Sequence, residues 1–369
     1  MMKTTTKIKK LMSKNEEYYS IRNILDTESE YNMLLGERSN GKSYSVKEFV
    51  LLCAYNLENY KFGYLRRWRE EIKSVKVENY FTDMPIEELT NGEYNTISVY
   101  RSEIFFATYT DKGVERGKKI GNVFCLTGET HYKSESYPDI EDLIFEEFIT
   151  DSGYLPNEVG KLMSLVSTIA RRRKLRVWLI GNTLSRLCPY FNDWQLKNVP
   201  RQKQGTIEIY KCKTEEMDEN GNNSYIQIAV EYCSSITKGK MFFGQKAKMI
   251  VGGVWDCEVH PKLYEKYEHY KNLYRVLYEY TSFKFMINLL EDKDKQLVLY
   301  VYPYTKETPK NIRVVSDKFS VDRLTTYQLT NLTKGDILVN RLLAERKICF
   351  SDNLTGTEFF QIKKERGFF

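Results

Sequence analysis

At 369 residues the chain exceeds the usual size of a single hydrophobic core, so two domains are expected. Its 41% hydrophobic and 29% charged composition excludes a disordered chain, and seven cysteines without a C-x-x-C pair argue against a disulfide framework or zinc site and for a reducing cytoplasm. A net charge of +6 permits a polyanionic partner without demanding one, and with no signal peptide or membrane span legible, neither secretion nor a membrane is expected.

The first strong element is the apolar run Tyr31-Asn32-Met33-Leu34-Leu35, which reads as a buried strand. It runs directly into Gly36-Glu37-Arg38-Ser39-Asn40-Gly41-Lys42-Ser43, a complete G-x-x-x-x-G-K-[ST] loop. Tyr44 to Leu52 follows with Val46, Phe49, Val50 and Leu52 at helical spacing. Strand, loop and helix in that order predict ATP binding. The glycines let backbone N–H groups close around phosphate, Lys42 reaches the β and γ phosphates, and the Ser43 hydroxyl ligates Mg²⁺ at a helix N-terminus.

Phe62-Gly63-Tyr64-Leu65 is the next strand, ending in the basic cluster Arg66-Arg67-Trp68-Arg69. A β-rich stretch follows, in which 98–100, 103–109 and 122–126 flank an expected basic turn at Arg116-Gly117-Lys118-Lys119. Leu143-Ile144-Phe145 is a buried-type strand closed by Glu146-Glu147. A phosphate loop needs an acidic residue on a second strand for the metal and a base for the attacking water, so Glu146 is assigned to Mg²⁺ and Glu147 to water. The bland alternative is a pair of solvated glutamates at a strand end. Asn157 to Arg173 is the clearest helix, and 175–182 is a strand whose last residue, Asn182, either hydrogen-bonds Glu147 or the water, or caps the next turn. Arg171-Arg172-Arg173 suits the helix dipole or, equally, supplies an arginine finger to a neighbouring subunit.

Strands alternating with helices predict a three-layer, mostly parallel α/β sheet. Near residue 200 the pattern changes to a hairpin, 206–210 and 225–230 about a turn-rich 218–223. The organisation expected is a P-loop domain at 1–235, a linker region at 236–274 containing the start of a Tyr-rich helical stretch from Tyr264 to Tyr278, and a small α+β domain at 275–369. That last domain carries strands at 283–290, 296–302 and around 312–315 and a helix at 335–347.

Taken together, Met33-Leu34-Leu35-Gly36, Tyr64-Leu65-Arg66-Arg67, Tyr137-Pro138, Leu143 to Ile149, Tyr154-Leu155-Pro156-Asn157-Glu158-Val159 and Asn182 with Pro189-Tyr190-Phe191 resemble the DNA-packaging ATPases, or encapsidation proteins, of phi29-type phages. Beyond residue 200 the likeness is thin. The resemblance implies an additional-strand, catalytic-glutamate P-loop ATPase core. It implies a ring, a pentamer by family expectation, at the portal (connector) vertex of a procapsid in the host cytoplasm, pumping in double-stranded DNA. Carried over, Gly36, Gly41, Lys42 and Ser43 hold nucleotide and Mg²⁺, Glu147 is catalytic, and Asn182 holds it inactive until DNA is engaged. Arg171 matches the trans-acting finger, with Arg172 the alternative, and Arg69 and Lys133 match basic interface positions. Glu146 stands where the family more often has Asp. The resemblance also implies a C-terminal domain like a degenerate RNase H-like nuclease, docking on the portal or a packaging RNA. Glu291, Asp292 and Asp294 share one turn rather than converging from strands, so no cleavage activity is expected. Lys118 and Lys119 are the candidates for DNA phosphate contact. A helicase or plasmid-mobilising motor on the same core, and a non-hydrolysing nucleotide-binding scaffold, are the competing readings.

Overall fold

The computed structural model describes residues 2–13, 18–37, 39–150, 153–171, 173–183, 188–217, 223–234, 259–280, 283–306, 312–316, 325–326 and 332–366. The chain forms two compact units, one of 1–184 with 198–254 and one of 185–197 with 255–369.

The first unit carries, in chain order, α1 (Met2–Leu11), α2 (Arg22–Leu25), β1 (Tyr31–Gly36), α3 (Lys42–Asn56), β2 (Lys61–Arg66), α4 (Ser74–Tyr80), α5 (Ile86–Leu89), β3 (Thr96–Tyr100), β4 (Glu103–Thr110), β5 (Gly113–Cys125), β6 (Ile140–Glu146), α6 (Glu158–Ala170), β7 (Arg176–Asn182), β8 (Thr206–Met217) and β9 (Asn223–Tyr232). The strands make one sheet in the order β3-β4-β5-β2-β6-β7-β1-β9-β8. Its centre, from β5 to β9, is parallel, and β3, β4 and β8 add antiparallel edges. Parallel strands covered on both faces read as continuous apolar runs, and every residue of β1 is accordingly buried. Leu34, Ile144 and Trp178 point to the face that packs with Phe49 and Val50 of α3. Their neighbours Met33, Phe145 and Leu179 alternate to the other face, and α6 packs beside β6.

The topology that matters lies at the centre. β7 sits between the phosphate-loop strand and the acidic strand, pairing Gly36 with Asn182 on one side and Glu146 with Ile180 on the other. This is the additional-strand arrangement, and it brings the ends of β1, β7, β6 and β2 to one carboxyl edge, where open α/β sheets bind ligands. The expected hairpin is β8–β9, with 218–222 of its turn outside the described residues.

The expected basic turn at Arg116 to Lys119 is not a turn. These residues lie inside β5, and the reversal from β4 comes at Thr110 to Gly113. Gly117 suggested a turn, but its missing side chain serves packing: a Cβ there would meet the Tyr94 ring at 2.2 Å. Lys118 donates to the carbonyls of Ala54 at 2.6 Å and Leu57 at 3.0 Å, capping the end of α3, and Lys119 pairs with Glu103.

The second unit contains α7 (Pro189–Asp193), β10 (Lys271–Tyr280), β11 (Phe283–Glu291), β12 (Leu297–Pro303), β13 (Arg313–Ser316), β14 (Thr325–Thr326), α8 (Lys334–Ala344), β15 (Ile348–Phe350) and α9 (Asn353–Arg366). Its sheet runs β14-β13-β10-β11-β12-β15. The Tyr-rich stretch from Tyr264 is therefore corrected: a short 3-10 turn at Tyr267–His269 leads into strand β10, not a helix. Val276, Tyr278 and Tyr280 alternate into the main core while Leu277 joins a second cluster on the opposite face. Both faces of this segment are apolar, which blurred the period-two signal, and its β-branched and aromatic content was the better guide. Most of the expected linker, its residues 236–258, lies outside the described residues.

Candidate functional site: a phosphate loop and two glutamates

α3 is capped at its N-terminus by Gly41, whose φ of 93° is left-handed, and an added Cβ would come within 3.1 Å of the Tyr18 Cβ. Glycine is thus required here by conformation and by packing. The loop closes around Lys42, which is 4% exposed. Its Nζ donates to the Glu37 carbonyl at 2.5 Å, to Asn40 Oδ1 at 3.2 Å and to Asn182 Oδ1 at 3.5 Å. Burial lowers the Lys42 pKa, opposed by Cys233, Glu146 and Glu37. An ammonium in a low-dielectric cradle whose hydrogen bonds run to a backbone carbonyl and two side-chain amide oxygens favours an incoming anion.

Ser43 Oγ donates to Glu146 Oε1 at 2.5 Å, so the hydroxyl and the carboxylate assigned to the same metal ion are adjacent. Burial raises the Glu146 pKa, against hydrogen bonds from Ser43 and Tyr80. A hydroxyl and a carboxylate at one point are a hard-oxygen donor pair that suits Mg²⁺ with retained water. Glu147 follows directly after β6 with a left-handed φ of 56°, where the chain leaves the strand. Its side chain is 58% exposed, and Oε2 accepts from Arg66 Nη2 at 2.7 Å. Asn182 lies in the cavity with its Oδ1 towards Lys42; the residue that holds Glu147 is Arg66, also bound to Glu71 at 2.6 Å.

Arg67 fastens this corner. It forks onto Glu158 at 2.8 and 2.9 Å and donates to the backbone carbonyls of Glu147 at 3.0 Å and Phe148 at 2.8 Å. The turn that carries the expected base is thereby tied to the start of α6.

The cavity over the loop measures about 580 Å³ and is lined by Ser39 to Ser45, Glu146, Glu147 and Asn182, with Tyr18, Tyr19, Glu48 and Asp83 at its sides. That volume and lining fit a nucleoside triphosphate. Of the expected residues, Gly36, Glu37, Ser39, Asn40, Gly41, Lys42 and Ser43 form the loop, and Arg38 lies outside the described residues. Arg171 ends α6 in a left-handed conformation, exposed, with Nη2 on the Glu135 carbonyl at 2.6 Å, and does not line this cavity. Arg172 lies outside the described residues, and Arg173 folds back onto the carbonyls of Tyr137 at 2.8 Å and Ile169 at 3.0 Å. Arg69 and Lys133 are exposed.

Sequence reasoning missed Tyr19, Tyr80, Asp83 and Glu231, whose spacing from the loop carries no motif. Tyr19 OH donates to Glu231 Oε2 at 2.7 Å behind the loop, and burial pushes the Glu231 carboxyl up to about 7, the Tyr19 bond opposing. Between about pH 4.5 and 7 the folded chain keeps a proton the unfolded chain has lost, so this group's contribution to stability falls as pH rises through that window and then levels off. Glu231→Gln is accordingly expected to gain stability over the wild type by on the order of 2 kcal/mol more at pH 8 than at pH 5. Thermal melts at both pH values check this, and a difference independent of pH refutes it.

Residues 12–224, more than half of the chain, match the family described as Podovirus DNA encapsidation protein (Gp16). The chain is 32% identical over 178 residues to the DNA packaging protein of Bacillus phage phi29, covering 47% of this chain and 49% of that one. It is 33% identical over 167 residues to the DNA packaging protein of Bacillus phage B103, covering 43% and 46%. The chain thus spans about half the length of the curated relatives it matches. A solved chain of the bacteriophage Phi-29 viral genome packaging motor assembly is similar in fold, with a TM-score of 0.53 at 19% identity over 95% of this chain and 99% of that one.

Proposed function

Since the chain belongs to the Podovirus DNA encapsidation protein (Gp16) family, we propose that it is an ATP-driven motor that translocates double-stranded viral DNA into a procapsid. The single observation that carries the chemistry is the meeting of Lys42, Ser43, Glu146 and Glu147 at the carboxyl edge of the sheet, around one cavity. Lys42 and the backbone of Glu37 to Ser43 would bind the phosphates. Ser43 and Glu146 would hold Mg²⁺, which when bound neutralises charge developing on the transferred phosphoryl group. Glu147 would orient the attacking water and take its proton once Arg66 releases the carboxylate.

The exposed Arg171 lies away from its own cavity and at the end of the helix that Arg67 ties to the Glu147 turn. That placement supports a finger acting on a neighbouring subunit in a ring, a pentamer in this reading, with Arg69 and Lys133 near the same interfaces. The ring would work in the host cytoplasm at the portal vertex and hold DNA through its phosphates, without sequence preference and with strong salt dependence. The second unit would be a docking domain towards the portal or a packaging RNA. Its meander β10-β11-β12, with β13 parallel to β10 and β14 parallel to β13, supports descent from an RNase H-like nuclease. Asp292 accepts from the backbone N–H groups of Asp294 at 2.9 Å and Gln296 at 2.7 Å, a turn-forming role that fits a domain without cleavage activity.

The test is ATP hydrolysis by wild type mixed with rising fractions of an Arg171→Ala chain, with assembly followed by light scattering. A fall steeper than the mutant fraction, with assembly intact, is the expected result. A proportional fall means that each chain hydrolyses alone and removes the ring mechanism. Strand separation on a forked duplex would favour a helicase instead.

A further inference from the structure

α4 lies between β2 and β3, outside every motif that the phosphate site uses, yet Tyr80 at its end reaches into that site. Tyr80 OH donates to Glu146 Oε2 at 3.0 Å while Ser43 Oγ donates to Oε1. Both oxygens of the metal-side carboxylate are thus held by hydroxyl groups, one from the loop and one from α4. The Tyr80 ring has little freedom: it packs at a 38° tilt against Tyr64 with centroids 4.7 Å apart, meets Phe81 edge-on at 5.0 Å, and lies under Lys47 Nζ at 4.7 Å. Lys47 is anchored in turn on the Tyr80 carbonyl at 2.7 Å and on Asp83. Glu78, on the same helix, accepts from the Val99 N–H of β3 at 2.7 Å, which ties α4 to the sheet.

Glu146 needs such support. The longer glutamate reaches the metal position through one more rotatable bond than an aspartate would, and an untethered carboxylate would sample orientations that miss the ion. We infer that Tyr80 is a positioning residue for Glu146, a hydroxyl that sets the carboxylate plane so that Oε1 faces the Ser43 side for Mg²⁺. The inference rests on the reading of Glu146 as the metal-side carboxylate of an ATPase.

The experiment is Mg²⁺ titration of the binding of a fluorescent ADP analogue to the full chain, comparing wild type, Tyr80→Phe and Tyr80→Leu, with melting curves for each. Tyr80→Phe keeps the ring contacts and removes the hydroxyl. It is expected to raise the Mg²⁺ concentration for half-maximal binding about tenfold and to leave binding in EDTA unchanged. Tyr80→Leu is expected to show the same Mg²⁺ shift with a larger loss of melting temperature, because the shift follows the hydroxyl and the stability follows the ring. In a Glu146→Gln chain, Tyr80→Phe should add no further shift. A Tyr80→Phe requirement within twofold of wild type, or a shift that scales with lost stability across the two variants, overturns the positioning role. Wild-type binding that does not respond to Mg²⁺ at all is a different failure, that of the ATPase reading itself.

Discussion

A Glu147→Gln chain is expected to bind ATP as the wild type does and to lose turnover by about 10²–10⁴-fold, the usual worth of a positioned general base. The substitution is nearly isosteric, and among the described residues the Glu147 carboxylate is held by Arg66 rather than by the loop, so binding and chemistry should separate cleanly. The amide keeps an oxygen that can accept from Arg66, now at 2.7 Å from Oε2, and gives up the basicity needed to take a proton from water. Glu146 cannot substitute, because both of its oxygens are engaged by Ser43 and Tyr80. The check is single-turnover hydrolysis beside equilibrium nucleotide binding. Retention of more than a tenth of the wild-type rate, with binding unchanged, would mean that another group activates the water. A wild type that binds ATP and never turns it over, with or without DNA, would instead favour the non-hydrolysing scaffold.

The largest stability effect is expected at the pair that fastens the same turn. Glu158 is fully buried and Arg67 nearly so, their side chains 0% and 5% exposed. Removing one partner of such a pair leaves a charge in a low-dielectric interior, at a cost of about 3–5 kcal/mol. Glu158→Ala should therefore unfold at a much lower denaturant concentration than the wild type, with an unchanged slope if only the native state is affected. The Arg67→Met, Glu158→Leu double substitution should recover a good part of that loss, since no charge is then stranded. It should not recover hydrolysis, because Arg67 also donates to the carbonyls of Glu147 and Phe148 and so sets the turn. Urea denaturation and ATP turnover on the same preparations separate the two effects. A single substitution that costs under 1 kcal/mol would show that the pair is not a structural bolt.

These two predictions also mark where local pattern ended. The phosphate loop was legible because its chemistry is written in eight consecutive residues, and the strand before it and the helix after it repeat at periods that a short window reveals. The acidic pair and Asn182 were legible for the same reason, each being the polar end of an apolar run. Arg66 and Arg67 stood out as basic residues, but nothing in their sequence positions told which would hold the Glu147 carboxylate and which would hold its backbone. The two lie next to each other on the chain and their partners lie 81 and 91 residues away.

Local signals misled where a residue type served a distant partner. Gly117 looked like a turn residue because glycine favours turns, whereas here the Tyr94 ring occupies the space of its side chain. Lys118 and Lys119 looked like the basic tip of a hairpin turn, whereas they lie within β5. In the fold Lys118 caps α3 from 64 residues away and Lys119 meets Glu103 across the β4–β5 ladder. The tyrosines from Tyr264 read as a helix because a strand packed on both faces loses the alternation that would identify it.

The sequence by itself determined that a phosphate-loop motif stands between a strand and a helix, that an acidic pair closes a second apolar strand and that the first unit is a mostly parallel α/β sheet, because each of these follows from backbone chemistry and periodicity within a few neighbours. Only the tertiary structure decided that β7 lies between the loop and the acids, that Tyr80 and Arg66 hold the two glutamates, and that Glu231 shares a buried bond with Tyr19 from 212 residues away. Strand order and side-chain partnership are settled by how the apolar faces close over one another, and that closure joins residues which no local pattern relates.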